Sequence, residues 1–263
     1  MTRALLFDCD GVLADTERDG HLVAFNRMWR EQGVNWQWTV PQYAEALKIG
    51  GGKERIANLA NDPAFRAVYP VPPSKDEWMA VVAGWHKRKT AIFQELVTSG
   101  AMPARPGVKR LAEEALAAGW TLAVCSTSAM DSVKAVLESV MGAETARRFA
   151  GVFAGDIVKA KKPAPDIYNH AADALGLTHG ACVVVEDSRN GLVAARAAGM
   201  ACVITQNALT EGEDFSEAMI VLTSLGDPGG EPVTVVTNRS QARPDRIFTV
   251  ADLDRILAST PTS

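Results

Sequence analysis

Two carboxylates two residues apart, Asp8 and Asp10, directly follow the apolar run 4–7. In extended backbone that spacing points both side chains to the same side. A second apolar run, 121–125, ends in the hydroxyls of Ser126 and Thr127, and a third, 181–185, ends in Glu186 and Asp187. Carboxylate oxygens gathered in this way chelate a hard octahedral cation such as Mg²⁺. Hydroxyls followed by the first amides of a helix cradle an anion. Lys162, in the stretch Lys161-Lys162-Pro-Ala-Pro-Asp166, adds a flexible ammonium just ahead of a helix start marked by prolines. Such a group neutralises both a phosphoryl oxygen and a carboxylate. Each signal alone has a plainer reading: an acidic turn at Asp8 to Gly11, helix N-caps at Ser126 and Thr127, a solvated basic turn at Lys161 and Lys162. Their shared position decides between the readings. In open parallel sheets ligands bind beyond the carboxyl ends of the strands, so the three sets are expected to converge on one cleft.

The elements that must carry these residues are legible from periodicity. Short β-type runs recur at 4–7, 121–125, 151–154, 181–185 and 201–205, and helical patterns at 107–118, 130–140, 165–175 and 188–198 lie among them. This alternation predicts an α/β fold with a Rossmann-like parallel sheet flanked by helices. Gly119 and Gly199 are the expected C-caps of two of the helices. Between Asp15 and Thr98 strand signals vanish and helices are expected over 16–32, 41–49, 53–60 and 75–97, separated by Gly-rich and Pro-rich turns. The reading is an α-helical cap domain over 15–98 inserted into a core made of 1–14 and 99–263, with the Pro- and Gly-rich segment 100–107 as the return linker. Residues 226–246 are polar and turn-rich, with one β-like run at 233–237 before a last helix near 250–258.

Composition narrows the function classes. The chain has 263 residues, 47% hydrophobic and 22% charged, which fits a globular fold rather than a disordered one. A net charge of −4 lacks the basic footprint that nucleic acid or a membrane surface would require, so neither is an expected partner. Any positive charge for an anionic ligand must be local. Cys9, Cys125, Cys182 and Cys202 are widely spaced, without a metal-like pair, and read as reduced, buried thiols. The N-terminal apolar run is too short for a signal peptide and no stretch has transmembrane length, so a cytoplasmic location is expected. A monomer is the expected state.

Together these residues resemble the haloacid dehalogenase-like hydrolases. Asp8-Cys-Asp10-Gly-Val-Leu is similar to that superfamily's first motif, Ser126 to its second, Lys162 to its third and Glu186-Asp187-Ser-Arg-Asn-Gly191 to its fourth, in the same order. The resemblance runs from Met1 to about Leu225. It implies that Asp8 is a nucleophile attacking phosphorus, that Asp10 protonates the leaving oxygen and later activates water, and that Ser126 and Lys162 hold the phosphoryl oxygens. It also implies Mg²⁺ bound by Asp8, the Asp10 backbone carbonyl and Asp187, with Glu186 beside it. Covalent capture divides one difficult displacement into two, and positioning and charge balance carry phosphoryl transfer.

Within the superfamily the closer likeness is to the β-phosphoglucomutase and CbbY-like branch, carried by Asp15-Thr-Glu17, Ala24-Phe-Asn26, Gly33-Val-Asn-Trp-Gln-Trp38, Tyr43, Gly51-Gly-Lys-Glu-Arg-Ile56 and Lys89-Thr90. This likeness implies a small phosphorylated sugar as substrate, with xylulose 1,5-bisphosphate the first candidate. Glu17, His21, Tyr43, Gly52, Lys53 and Arg55 would face it, together with Thr127 of the core. His21 lies one residue further from Asp8 than the histidine usual in the branch, which leaves its role open. Trp29, Trp36 and Trp38 read as packing residues. Three other activities stay open on sequence: a sugar phosphate mutase that returns the phosphoryl group, a dehalogenase, and a silent binding protein. Asp10 and the late carboxylate pair disfavour the dehalogenase, and the filled catalytic positions disfavour the silent member.

Overall fold

The computed structural model describes residues 2–99 and 102–259, so Gly100 and Ala101 of the expected return linker lie outside the described residues. The chain forms two compact units, Met1–Asp15 with Pro103–Ser263, and Thr16–Met102.

The first unit is an α/β fold around one seven-stranded sheet. Its strands are β1 (Ala4–Phe7), β2 (Thr121–Ser126), β3 (Gly151–Ala154), β4 (Cys182–Glu186), β5 (Ala201–Thr205), β6 (Ile220–Leu222) and β7 (Val235–Asn238). They lie in the order β3-β2-β1-β4-β5-β6-β7. All neighbours are parallel except β6 and β7. The strand order reverses at β1, which pairs Leu5 with Leu122 on one side and with Val183 on the other. Strands β1, β4 and β5 are buried throughout, as a sheet covered on both faces by helices requires. One face shows the two-residue period: Ala4, Leu6, Ala123, Cys125, Cys182, Val184, Cys202 and Ile204 pack with Ile167 and Tyr168 from helix Asp166–Leu175 and with Leu192 from helix Arg189–Ala197. All four cysteines are free and buried, in agreement with the sequence reading.

The helices end one residue earlier than the glycines suggest. Helix Val108–Ala117 is capped by Ala118 and helix Arg189–Ala197 by Ala198, and Gly119 and Gly199 follow in left-handed backbone. There the Trp120 and Met200 amides donate back to the Ala115 and Ala195 carbonyls, closing the last turn of each helix.

The C-terminal segment builds more of this unit than its polar sequence announces. Strand β6 had no counterpart in the sequence reading, and the run expected at 233–237 forms its strand two residues later, as β7. The final helix, Val250–Ser259, buries Leu253 and Ile256, and Phe248 just before it is fully buried. Arg105 ties the return segment to the carboxyl end of the sheet, its Nη2 donating to the Gln206 and Thr223 carbonyls at 2.9 and 2.7 Å and its Nη1 pairing with Asp15 at 3.0 Å.

The second unit is helical: Leu22–Glu31, Val40–Leu47, Gly52–Asn58, Pro63–Val68 and Lys75–Thr98. The expected helix over 16–32 opens as a short π-helical turn, Glu17–His21, and stops at Glu31; Pro63–Val68 adds a helix where none was expected. Local chemistry sets the starts. Thr39 and Gln42 form a reciprocal capping box, and Asp62 and Ser74 accept amide hydrogens from the first turns of their helices. Trp29 and Trp38 are buried and meet edge to face at 4.7 Å, with Phe25 5.1 Å from Trp38, so these indoles are packing residues. Among the described residues no helix is long and apolar enough to cross a membrane.

Candidate active site

The order reversal at β1 places the ends of β2, β1 and β4 side by side, where a doubly wound sheet forms its ligand crevice. Asp8 directly follows β1, Ser126 ends β2 and Glu186 ends β4, with Asp187 next. All four are buried. The ammonium of Lys162 joins them: it lies 2.6 Å from Asp8 Oδ1, 2.6 Å from Glu186 Oε1 and 2.8 Å from the Cys125 carbonyl. An ammonium has three N–H donors, and these acceptors take all of them.

Two glycines make the crowding possible. A Cβ on Gly191 would lie 1.9 Å from Glu186 Cδ, and a Cβ on Gly11, which has φ +77°, would lie 2.0 Å from Asp187 Oδ2. No side chain fits either position. Ser188 opens helix Arg189–Ala197 by accepting from the Gly191 amide at 3.1 Å, which fixes the turn that carries Glu186 and Asp187.

Electrostatics follow from burial. The Asp8 carboxyl is pushed up to about 8 by desolvation, and Glu186 and Asp10 push the same way against the opposing pull of Lys162. Burial works against the Lys162 charge, but the Asp8 and Glu186 carboxylates outweigh it and hold its pKa above the ordinary lysine value. Carboxylate oxygens of Asp8, Glu186 and Asp187 come within 4.8 Å of one another. Asp10 is close enough to raise the Asp8 pKa, and an oxygen-rich, negatively charged site of this kind fits a hard divalent cation.

Asp10 stands apart from the Lys162 contacts and accepts a hydrogen bond from Ser128 Oγ. The Ser128 amide in turn donates to Ser126 Oγ at 3.1 Å. Ser128, Tyr168 and Asn207 are site neighbours that the sequence reading did not single out. Tyr168, fully buried, donates to Glu186 Oε1 at 2.7 Å, and burial, with Glu186 beside it, holds its hydroxyl protonated far above the ordinary tyrosine range. Asn207 donates to Asp187 Oδ2 at 2.7 Å. Ser128 closes the Ser-Thr-Ser run after β2 and Asn207 follows β5, so the strand-end rule covers both; Tyr168 lies inside a helix and carries no such signal. Thr127 is half-buried beside Ser126.

In the helical unit three of the expected substrate residues come together. Tyr43 donates to Glu17 Oε2 at 2.5 Å and Arg55 Nη1 to the Tyr43 hydroxyl at 3.2 Å, while Arg55 Nε is held by the Ile49 carbonyl at 2.9 Å. His21 lies beside Glu17, with a ring nitrogen within 4.8 Å of a Glu17 carboxylate oxygen; its Nδ1 is 2.6 Å from Lys89 Nζ and its ring stacks on Phe93 at 4.0 Å. Gly52 and Lys53 form the first turn of helix Gly52–Asn58.

A profile of the haloacid dehalogenase-like hydrolases matches residues 2–199, and this chain belongs to that family. It is an enzyme, a phosphoric monoester hydrolase of the CbbY-like kind. A CBBY-like protein of Arabidopsis thaliana is 47% identical over 228 residues, which cover 87% of this chain and 70% of that protein. The crystal structure of CbbY from Rhodobacter sphaeroides in complex with phosphate superposes with a TM-score of 0.75 at 38% identity, covering 85% of this chain and 95% of that one. A mutant of the same CbbY, crystallised in complex with xylulose-(1,5)bisphosphate, also gives a TM-score of 0.75, at 37% identity with the same coverage of both chains.

Proposed function

We propose that this enzyme hydrolyses a small sugar phosphate or bisphosphate, with xylulose 1,5-bisphosphate as the first substrate to test, through a phosphoryl intermediate on Asp8 and with Mg²⁺ as cofactor. The observation that carries the reading is the buried Asp8 carboxylate, held 2.6 Å from Lys162 and grouped with Glu186 and Asp187. The xylulose-(1,5)bisphosphate complex of the similar CbbY suggests the substrate.

An Asp8 oxygen attacks phosphorus while the bond from phosphorus to the sugar oxygen breaks, and protonated Asp10 gives its proton to that leaving oxygen. Asp10, now a carboxylate, takes a proton from water as the water attacks the phosphoryl group. Inorganic phosphate leaves, and Asp8 and protonated Asp10 are restored. Ser128 orients Asp10 for both transfers. Lys162 and the Ser126 hydroxyl bind the phosphoryl oxygens, and Lys162 shifts from Asp8 Oδ1 to those oxygens once that oxygen is esterified. Asp8, the Asp10 carbonyl and Asp187, with Glu186 alongside, would hold Mg²⁺, which would supply Lewis-acid charge neutralisation there. Glu17, Tyr43, Lys53, Arg55, the Gly52 amide and Thr127 are assigned to the substrate on their resemblance to the branch.

The test is inorganic phosphate release with Mg²⁺ across pentose and hexose mono- and bisphosphates. Xylulose 1,5-bisphosphate is expected to be turned over best, and Asp8→Asn to lower turnover by at least about a thousandfold without loss of fold. Isomerisation of a hexose 1-phosphate without net phosphate release would replace hydrolysis by a mutase reaction. A silent panel would remove the assignment altogether.

A further inference from the structure

We infer that Asn207 is a positioning residue that holds the Asp187 carboxylate in orientation for a divalent cation, an inference that rests on the metal reading above. The side-chain amide of Asn207 is locked at both ends. Its Oδ1 accepts from the Leu209 amide at 2.9 Å and its Nδ2 donates to Asp187 Oδ2 at 2.7 Å. These partners fix which end is which, because the Leu209 N–H needs an acceptor and the carboxylate needs a donor.

The backbone under it is equally constrained. The Asn207 amide donates to Thr210 Oγ1 at 3.0 Å, and its carbonyl accepts from the Thr210 and Glu211 amides at 3.1 and 2.8 Å. One residue earlier, Gln206 is pinned between the Leu222 carbonyl and Arg105, at 2.9 Å each. The donor therefore comes from a rigid turn at the end of β5, on a different strand from the carboxylate that it holds. Gly11 leaves the room: a Cβ there would lie 2.9 Å from Asn207 Nδ2 as well as 2.0 Å from Asp187 Oδ2. A hydrogen bond to one oxygen stops rotation of the carboxylate about Cβ–Cγ. Outer partners of this kind set ligand direction, and their loss costs about 10–100-fold in metal affinity.

A purely structural role for Asn207 would be to cap its own turn through Oδ1. Two variants separate the roles. Asn207→Ala removes both contacts, whereas Asn207→Ser keeps a short side-chain oxygen for the Leu209 amide and lacks the length to reach Asp187. Binding of Mn²⁺ alone, followed by electron paramagnetic resonance of the free ion, is measured for the wild-type protein, both variants and Asp187→Asn, with thermal melting of each metal-free protein alongside. The expected result is a dissociation constant raised about tenfold or more in Asn207→Ser and Asn207→Ala alike, with the Ser variant melting close to wild type. If Asn207→Ser binds Mn²⁺ as wild type does while Asp187→Asn has lost it, the inference falls and the metal site stands. If the wild-type protein binds no Mn²⁺, the metal reading falls and takes the inference with it.

Discussion

Asp8 is a buried acid within a carboxylate cluster, and the proposed chemistry needs it ionised. Burial first, then Glu186 and Asp10, hold its proton up to about pH 8 in the metal-free protein. That proton must leave before the oxygen can ligate a cation, so metal and proton compete. Apparent Mn²⁺ affinity is expected to weaken by about tenfold per pH unit below 8, and titrations at pH 6, 7 and 8 check this; a flat profile would contradict it. The stability consequence has the same sign. A carboxyl raised in the folded state stabilises the fold while protonated, and that contribution is lost as pH rises through about 8. A bound cation offsets the loss, so the rise in melting temperature on adding Mn²⁺ should grow from pH 6 to pH 8. In the helical unit, Lys53→Ala and Arg55→Ala are expected to lower kcat/KM for the preferred sugar phosphate by about tenfold or more while leaving p-nitrophenyl phosphate within about twofold. Equal losses on both substrates would remove the specificity role.

At the scale of elements, the site depends on turns that bring backbone close to acids. The turn after β4 packs the first residues of helix Arg189–Ala197 against Glu186, and Gly191 is the residue that permits it. Gly191→Ala places a methyl group inside the carboxylate, so either Glu186 leaves Lys162 or the helix start shifts. Turnover is expected to fall by about a hundredfold or more, with about 1–3 kcal/mol lost in stability from overpacking, as denaturant unfolding would measure. Retained activity in that variant would show that Glu186 need not stay where it is. Much of this scale was open to sequence reading. The buried runs became β1 to β5 because strands covered on both faces must be continuously apolar. The short β6 and the shifted β7 were hidden: three residues of β6 give no period, and β7 is exposed along its length, with a register shift against β6. The π-helical turn at Glu17–His21 was hidden too, since π and α turns share residue preferences.

On the scale of the whole molecule, the C-terminal segment completes the sheet unit. Phe248, Leu253 and Ile256 are fully buried, and the Phe248 carbonyl receives Arg110 at 2.8 Å. Burial of each such side chain is worth about 2 kcal/mol, against a net stability of about 5–15 kcal/mol for a domain. Deleting residues 226–263 is therefore expected to remove cooperative thermal unfolding and to expose β6 as an unprotected edge prone to association. A monodisperse truncated protein with an unchanged melting temperature would refute this.

Sequence by itself determined β1 to β5 and the acids that sit at their ends, Asp8, Glu186 and Asp187, because residue type and strand-end position are local properties that survive without coordinates. The helical insert was likewise read from periodicity that changes near Asp15. Only the tertiary structure decided which groups meet. Lys162 reaches Asp8 across 154 residues and Asn207 reaches Asp187 from another strand, while His21 meets Lys89, 68 residues further along the chain. Such pairings are set by strand order, register and the room that Gly11 and Gly191 leave, and none of these is written in the spacing of residues along the chain.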